Sequence, residues 1–99
     1  MALVAKVSDI PDGRTLRVEI DGLAILLCNV DGEIYALEDV CTHDGAPLDQ
    51  GELEGCRIVC PRHGANFDVR TGEALTLPAF LPLPTYPVTI RDGEIFVEV

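Results

Sequence analysis

Cys41-Thr42-His43 and Cys60-Pro61-Arg62-His63 each set a thiol beside an imidazole, with sixteen residues between the two pairs. The chain has only two histidines in 99 residues, so its whole histidine complement falls in this constellation. Thiolates and neutral imidazoles are ligands for zinc, iron and copper. An equal split between two Cys-His pairs is what a 2Fe-2S cluster requires when one iron is held by cysteines and the other by histidines. Such a donor set leaves the oxidised cluster formally neutral and the reduced one singly negative. Four thiolates would make both states more negative and reduction harder. Cys41, His43, Cys60 and His63 are therefore the candidate metal and cofactor ligands.

The pairs stand in longer motifs. Cys41-Thr42-His43-Asp44-Gly45-Ala46-Pro47-Leu48, then Cys60-Pro61-Arg62-His63-Gly64-Ala65-Asn66-Phe67-Asp68, then Thr71-Gly72-Glu73, resemble the two cluster-binding loops of a Rieske ferredoxin. The leading Ile10-Pro11-Asp12-Gly13 and the closing Tyr86-Pro87-Val88 with its terminal hairpin also match that family's layout, so the resemblance covers nearly the whole chain. It implies an all-β fold of antiparallel sheets in a sandwich, with a small cluster-binding subdomain made of two loops, about residues 40–48 and 60–68. It also implies one Rieske-type 2Fe-2S cluster per chain, with Cys41 and Cys60 on one iron and His43 and His63 on the other through the ring nitrogen nearer the backbone. The remaining ring nitrogens would point outward to a docked partner. Gly45 and Gly64 would permit amides to approach the cluster sulfurs, or serve as simple turn glycines. A proline-bearing loop, here near Pro78-Ala79, would shield one side of the cluster.

Departures from the respiratory members of the family narrow the function. Their extra cysteine in each loop, joined as a disulfide, is replaced here by Ala46 and Arg62, so no such brace can form. Their Ser and Tyr hydroxyls near the cluster are replaced by Ala65 and Phe67. If each lost hydroxyl removes roughly 1.4 kcal/mol of preference for the reduced state, it lowers a one-electron potential by about 60 mV. The potential is expected toward the low end of the Rieske range. That end suits a carrier taking electrons from an NAD(P)H-dependent flavoprotein, the ferredoxin reductase, and delivering them to a terminal ring-hydroxylating dioxygenase in aromatic hydrocarbon catabolism. The chain is not expected to be the enzyme itself, because oxygen activation there uses a separate iron held by two histidines and a carboxylate, and both histidines are already committed. Alternatives of the same chemistry are a Rieske small subunit or carrier for another reductase, nitrite reductase-like, or for a monooxygenase. A zinc-binding interaction module is disfavoured because zinc modules usually pair Cys with Cys, and a Cys-His hydrolase because no oxyanion-stabilising group is discernible.

Composition agrees with a carrier. Seven Lys and Arg against seventeen Asp and Glu give a formal charge of -10, which repels nucleic acid and anionic membranes and attracts basic protein surfaces. Asp44, Asp49, Glu52 and Glu54 are candidates for a steering patch, with Arg57 and Arg62 interrupting it; an ordinary solvated face is the competing reading. The apolar start is too brief for a signal peptide, and no run approaches the roughly 18 residues of a membrane span. A cytoplasmic protein is expected, with two of the four cysteines at ligand spacing and not in a disulfide framework.

The elements that must position the ligands read as strands of one domain, 1–99. Arg14 to Ile20, Leu23 to Val30 and Glu33 to Glu38 form a meander turned by Asp21-Gly22 and Asp31-Gly32. Cys56 to Cys60 and Asn66 to Val69 flank the second pair, and Val88 to Ile90 with Ile95 to Val99 make a final hairpin about Asp92-Gly93. No convincing helix appears. Four prolines between Pro78 and Pro87 predict a stiff extended loop and not a central strand. Cys28 is expected as a buried small hydrophobe, Cys56 as inert packing or a reactive thiol, and Phe67, Phe80 and Tyr86 as packing.

Overall fold

The computed structural model describes residues 2–40, 48, 51–60, 64–75 and 82–99. In chain order the described strands are β1 (Ala2–Lys6), β2 (Thr15–Ile20), β3 (Leu23–Val30), β4 (Glu33–Glu38), β5 (Leu53–Glu54), β6 (Arg57–Val59), β7 (Asn66–Asp68), β8 (Thr85–Tyr86), β9 (Val88–Arg91) and β10 (Glu94–Val97). A 3-10 turn, Val7–Asp9, follows β1. The named pairings are all antiparallel, so the fold is all-β as expected. Among the described residues no helix is long and apolar enough to cross a membrane.

Tight turns set the registers. Asp21-Gly22, Asp31-Gly32 and Asp92-Gly93 each place both residues at positive φ, 52° for every Asp and 76° to 88° for the glycines. That pair of left-handed residues matches the twist of a two-residue hairpin, which is why Asp-Gly is favoured there. The first two turns align β2, β3 and β4 so that Leu26 faces Leu37 and Leu27 faces Ala36 across the β3–β4 ladder. The third joins β9 to β10.

The strands assemble as three sheets, β1-β10-β9, β2-β3-β4-β8 and β5-β6-β7. The four-stranded sheet is the middle layer, because its two faces feed two cores. Ile25, Leu27, Ile34 and Ala36 pack with Ile10, Ile20, Ile95 and Val97. Leu26, Cys28 and Leu37 pack with Leu48, Ile58, Cys60, Ala65, Phe67, Val69 and Leu83 on the other side. Alternate residues of a strand point to opposite faces. A strand buried on both sides is therefore apolar without alternation, and Ile25 to Asn29 are all buried. The polar member, Asn29, is satisfied: its side-chain amide donates to Ile10 O at 2.7 Å and its Oδ1 accepts from Gly32 N at 2.9 Å.

One sequence expectation needs correction, and two strands went unnamed in the sequence reading. The first of these is β1, the apolar start, paired with β10. The proline-rich stretch is not wholly loop, because Thr85–Tyr86 forms β8 against Ala36 and Leu37 at the margin of the middle sheet, where the flanking prolines cost no ladder bonds. β5, absent from the sequence reading, pairs with β6. The remaining strands agree with the expected ones to within one or two residues at their ends. Pro78, Ala79 and Phe80 lie outside the described residues.

Candidate metal centre

Of the four candidate ligands, Cys60 is described, whereas Cys41, His43 and His63 lie outside the described residues. Cys60 directly follows β6 and is 1% exposed, with a free thiol. Its backbone makes a tight closure: Cys60 N donates to Ala65 O at 2.7 Å, and Gly64 N donates to Cys60 O at 3.0 Å. These two bonds close the backbone on either side of residues 61–63, which lie outside the described residues. Gly64 sits at φ +72° with open space where a Cβ would be. It holds a left-handed turn position, and its own amide donates to the Cys60 carbonyl. Gly45 lies outside the described residues.

The base of the first ligand segment is fixed separately. Asp39 follows β4 and is buried, and its Oδ1 accepts from Leu48 N at 2.6 Å. That bond joins the two ends of the segment carrying Cys41 and His43. Leu48 is 0% exposed and lies in the same core as Cys60, Ala65 and Phe67. Gly51 N then donates to Leu48 O at 2.9 Å, and a Cβ on Gly51 would fall 1.8 Å from Val59 O, so only glycine lets this backbone lie against β6. The base of one ligand segment is therefore seated beside the base of the other. Asp39 and Gly51 went unremarked in the sequence, where nothing local distinguishes them, and Leu48 figured there only as the last residue of the first motif.

Cys28 and Cys56 differ from Cys60. Cys28 is 0% exposed on β3, and burial, with the nearby Asp39 charge, pushes its thiol up to about 12. It stays neutral and serves as core, as expected. Cys56 is partly exposed. Phe67 is fully buried, and Tyr86 is partly so against the core of Ile25, Leu27, Ala36 and Ile95, which agrees with packing roles. Glu52 and Glu54 are exposed, and Glu54 pairs with Arg57 at 3.1 Å, so this rim cation is compensated locally. Asp44, Ala46, Asp49 and Arg62 lie outside the described residues.

The arrangement suits an iron-sulfur cluster. Cys60 is a buried free cysteine with an apolar floor of Leu48, Ile58, Ala65 and Phe67 around it, and the base of the other Cys-His segment, Asp39 to Leu48, packs into the same core, which fits a cluster that needs soft donors from two segments. Residues 1–87 match the model of the Rieske 2Fe-2S domain, and the chain belongs to this family. It holds a Rieske-type 2Fe-2S cluster and is an electron-transfer component, not a catalyst in its own right. The chain is 45% identical over 94 residues to the 3-phenylpropionate/cinnamic acid dioxygenase ferredoxin subunit of Escherichia coli strain K12, covering 94% of this chain and 88% of that one. Among solved structures, Sphingomonas yanoikuyae B1 ferredoxin superposes with a TM-score of 0.94 at 37% identity, over 99% of this chain and 97% of that one. A chain from the complex of reduced oxygenase and oxidized ferredoxin in carbazole 1,9a-dioxygenase gives 0.92 at 37% identity, over 97% and 90%.

Proposed function

We propose that this chain carries single electrons from an NAD(P)H-dependent flavoprotein reductase to the terminal oxygenase of an aromatic-ring-hydroxylating dioxygenase system, in the cytoplasm. The observation that carries the reading is end-to-end likeness to a chain from a complex of oxygenase and ferredoxin, 97% of this chain matched at a TM-score of 0.92. Its 99 residues act as one Rieske domain, with Cys41 and Cys60 on one iron and His43 and His63 on the other. When bound, the cluster takes up and releases one electron without a change of ligands. The protein's part would be to hold two thiolates and two imidazoles in place, to keep water from Cys60 with buried Leu48, Ala65 and Phe67, and to present its acidic surface to partners.

A net charge of -10 favours encounter with a basic docking face and makes association sensitive to ionic strength. The test is reconstitution: NADH, a flavoprotein reductase of this type, the loaded carrier and an aromatic-ring dioxygenase. Product should form only when the carrier is present, and stopped-flow reduction of the carrier should slow as salt rises past about 0.1 M, where the Debye length is about 10 Å. Product formation without the carrier would defeat the proposal. Rates flat in salt would reduce the acidic surface to a solubilising role.

A further inference from the structure

Asp39 is a carboxylate with 0% side-chain exposure placed two residues before Cys41. Burying such a charge is costly unless it is paired and hydrogen-bonded. Asp39 meets both conditions. Its Oδ2 receives Arg17 Nη1 from β2 at 2.5 Å, and its Oδ1 receives Leu48 N at 2.6 Å. Its own backbone amide donates to Ala24 O at 3.0 Å on β3, which fixes where the side chain starts. Arg17 is anchored on the ladder opposite Leu26 and keeps 36% of its side chain exposed, so the cation is held by the sheet while still partly hydrated.

We infer that Asp39 is the positioning residue of the first ligand loop, clamping the segment 41–47 through Leu48, and that Arg17 is its charge-compensating partner, which keeps the clamp from biasing the cluster toward its oxidised state. This inference rests on the reading of Cys41 and His43 as cluster ligands. The physical requirement is twofold. Leu48 is fully buried, so its amide needs an internal acceptor, and a carboxylate reaching across the base of the loop supplies a strong one. A bare carboxylate two residues from Cys41 in the chain would oppose the extra negative charge of the reduced cluster, and the paired guanidinium offsets that charge.

The test uses loaded full-length protein and three variants, Asp39→Ala, Asp39→Asn and Arg17→Gln. Bleaching of the visible bands by excess iron chelator measures cluster lifetime, far-UV melting of the same samples measures the fold, and protein-film voltammetry measures the midpoint potential. Asp39→Ala should lose its cluster about tenfold faster than wild type, the effect of orphaning one buried amide. Asp39→Asn keeps an oxygen for Leu48, so its cluster lifetime should stay near wild type while its potential rises, because Arg17 is left uncompensated. Arg17→Gln should lower the potential, because the carboxylate is left uncompensated. A wild-type lifetime in Asp39→Ala, or potentials of Asp39→Asn and Arg17→Gln moving the same way, would overturn the inference. If Asp39→Ala does not fold, Asp39→Asn decides alone: a raised potential with an intact lifetime supports the clamp, and a collapsed lifetime with unchanged melting overturns it. Wild-type protein that assembles with no iron and sulfide would instead refute the ligand reading, and that result is read before any variant.

Discussion

Leu83 and Gly72 lock the second ligand hairpin to the middle sheet by backbone contact. Leu83 N donates to Gly72 O at 2.7 Å, and a Cβ built on Gly72 would stand 2.1 Å from Leu83 O. Gly72 also holds φ +81° and donates its own amide to Asp68 O at 2.7 Å. The turn after β7 is thus tied to the residue that leads into β8.

Gly72→Ala should therefore be more costly than a left-handed glycine elsewhere. At Gly55, φ is +60° with nothing near the missing Cβ, so Gly55→Ala meets only the intrinsic left-handed penalty, about 1 kcal/mol. At Gly72 the backbone collision adds to it, and a loss of at least about 2 kcal/mol is expected. Urea unfolding of both variants decides the matter; equal losses would show that the chain yields at Leu83.

The cysteines should separate cleanly by role. Cys60→Ser, and likewise Cys41→Ser, should prevent stable cluster assembly, while Cys28→Ala should keep the visible spectrum and lose about 1 kcal/mol of stability for the sulfur removed from the core. Iron and acid-labile sulfide measured on each preparation should be equimolar in wild type and Cys28→Ala. Stoichiometric zinc without sulfide, in protein made with ample iron, would contradict the cluster.

Much of this was legible because it is written locally. Asp31-Gly32 fixes a hairpin through two residues, and the unbroken run from Ile25 to Cys28 signals a strand covered on both faces. The candidate ligands stand out by type and spacing, since histidine occurs nowhere else in the chain. What was not legible is non-local. β5 and β8 are two residues each and owe their existence to partners supplied by the tertiary fold, not to propensity. Asp39 is one of seventeen acidic residues, and what sets it apart is an arginine 22 positions away and an amide nine positions away.

Asp68 and Arg70 predict an acid limb of stability. The Arg70 side chain donates to Asp68 through Nε at 3.2 Å and Nη2 at 3.0 Å, and its amide adds a bond at 2.9 Å. These side-chain hydrogen bonds, foremost, hold the Asp68 carboxyl below its usual value, although partial burial works against them. Because the folded carboxyl is the stronger acid, the unfolded chain takes up its proton first as the pH falls. The contribution is then whole above about pH 4 and is lost as the pH drops through the folded value. Asp68→Asn should remove that component, so its melting temperature should fall less than the wild type's between about pH 5 and pH 2. Parallel curves would mean that the exposed guanidinium is too well screened to matter.

Ala65 and Phe67 set the last expectation, the cluster's potential. Both are 0% exposed and share a core with Cys60, and Ala65 O accepts from Cys60 N at 2.7 Å, so this backbone is adjacent to a ligand. Their positions are where respiratory relatives carry hydroxyls. A hydroxyl introduced at either site enters a dry, close-packed region, where it must find an acceptor or remain unsatisfied. A cluster sulfur is such an acceptor, and it becomes a better one when the cluster gains its electron. Ala65→Ser and Phe67→Tyr should therefore each stabilise the reduced form and raise the midpoint by some tens of millivolts, up to about 60 mV for a hydrogen bond worth roughly 1.4 kcal/mol. The wild type should lie correspondingly low in the Rieske range, which suits the proposed delivery from a flavoprotein. Protein-film voltammetry on the three proteins reads both statements. A wild-type midpoint near the upper limit of about 300 mV would show that other features of the site set the potential.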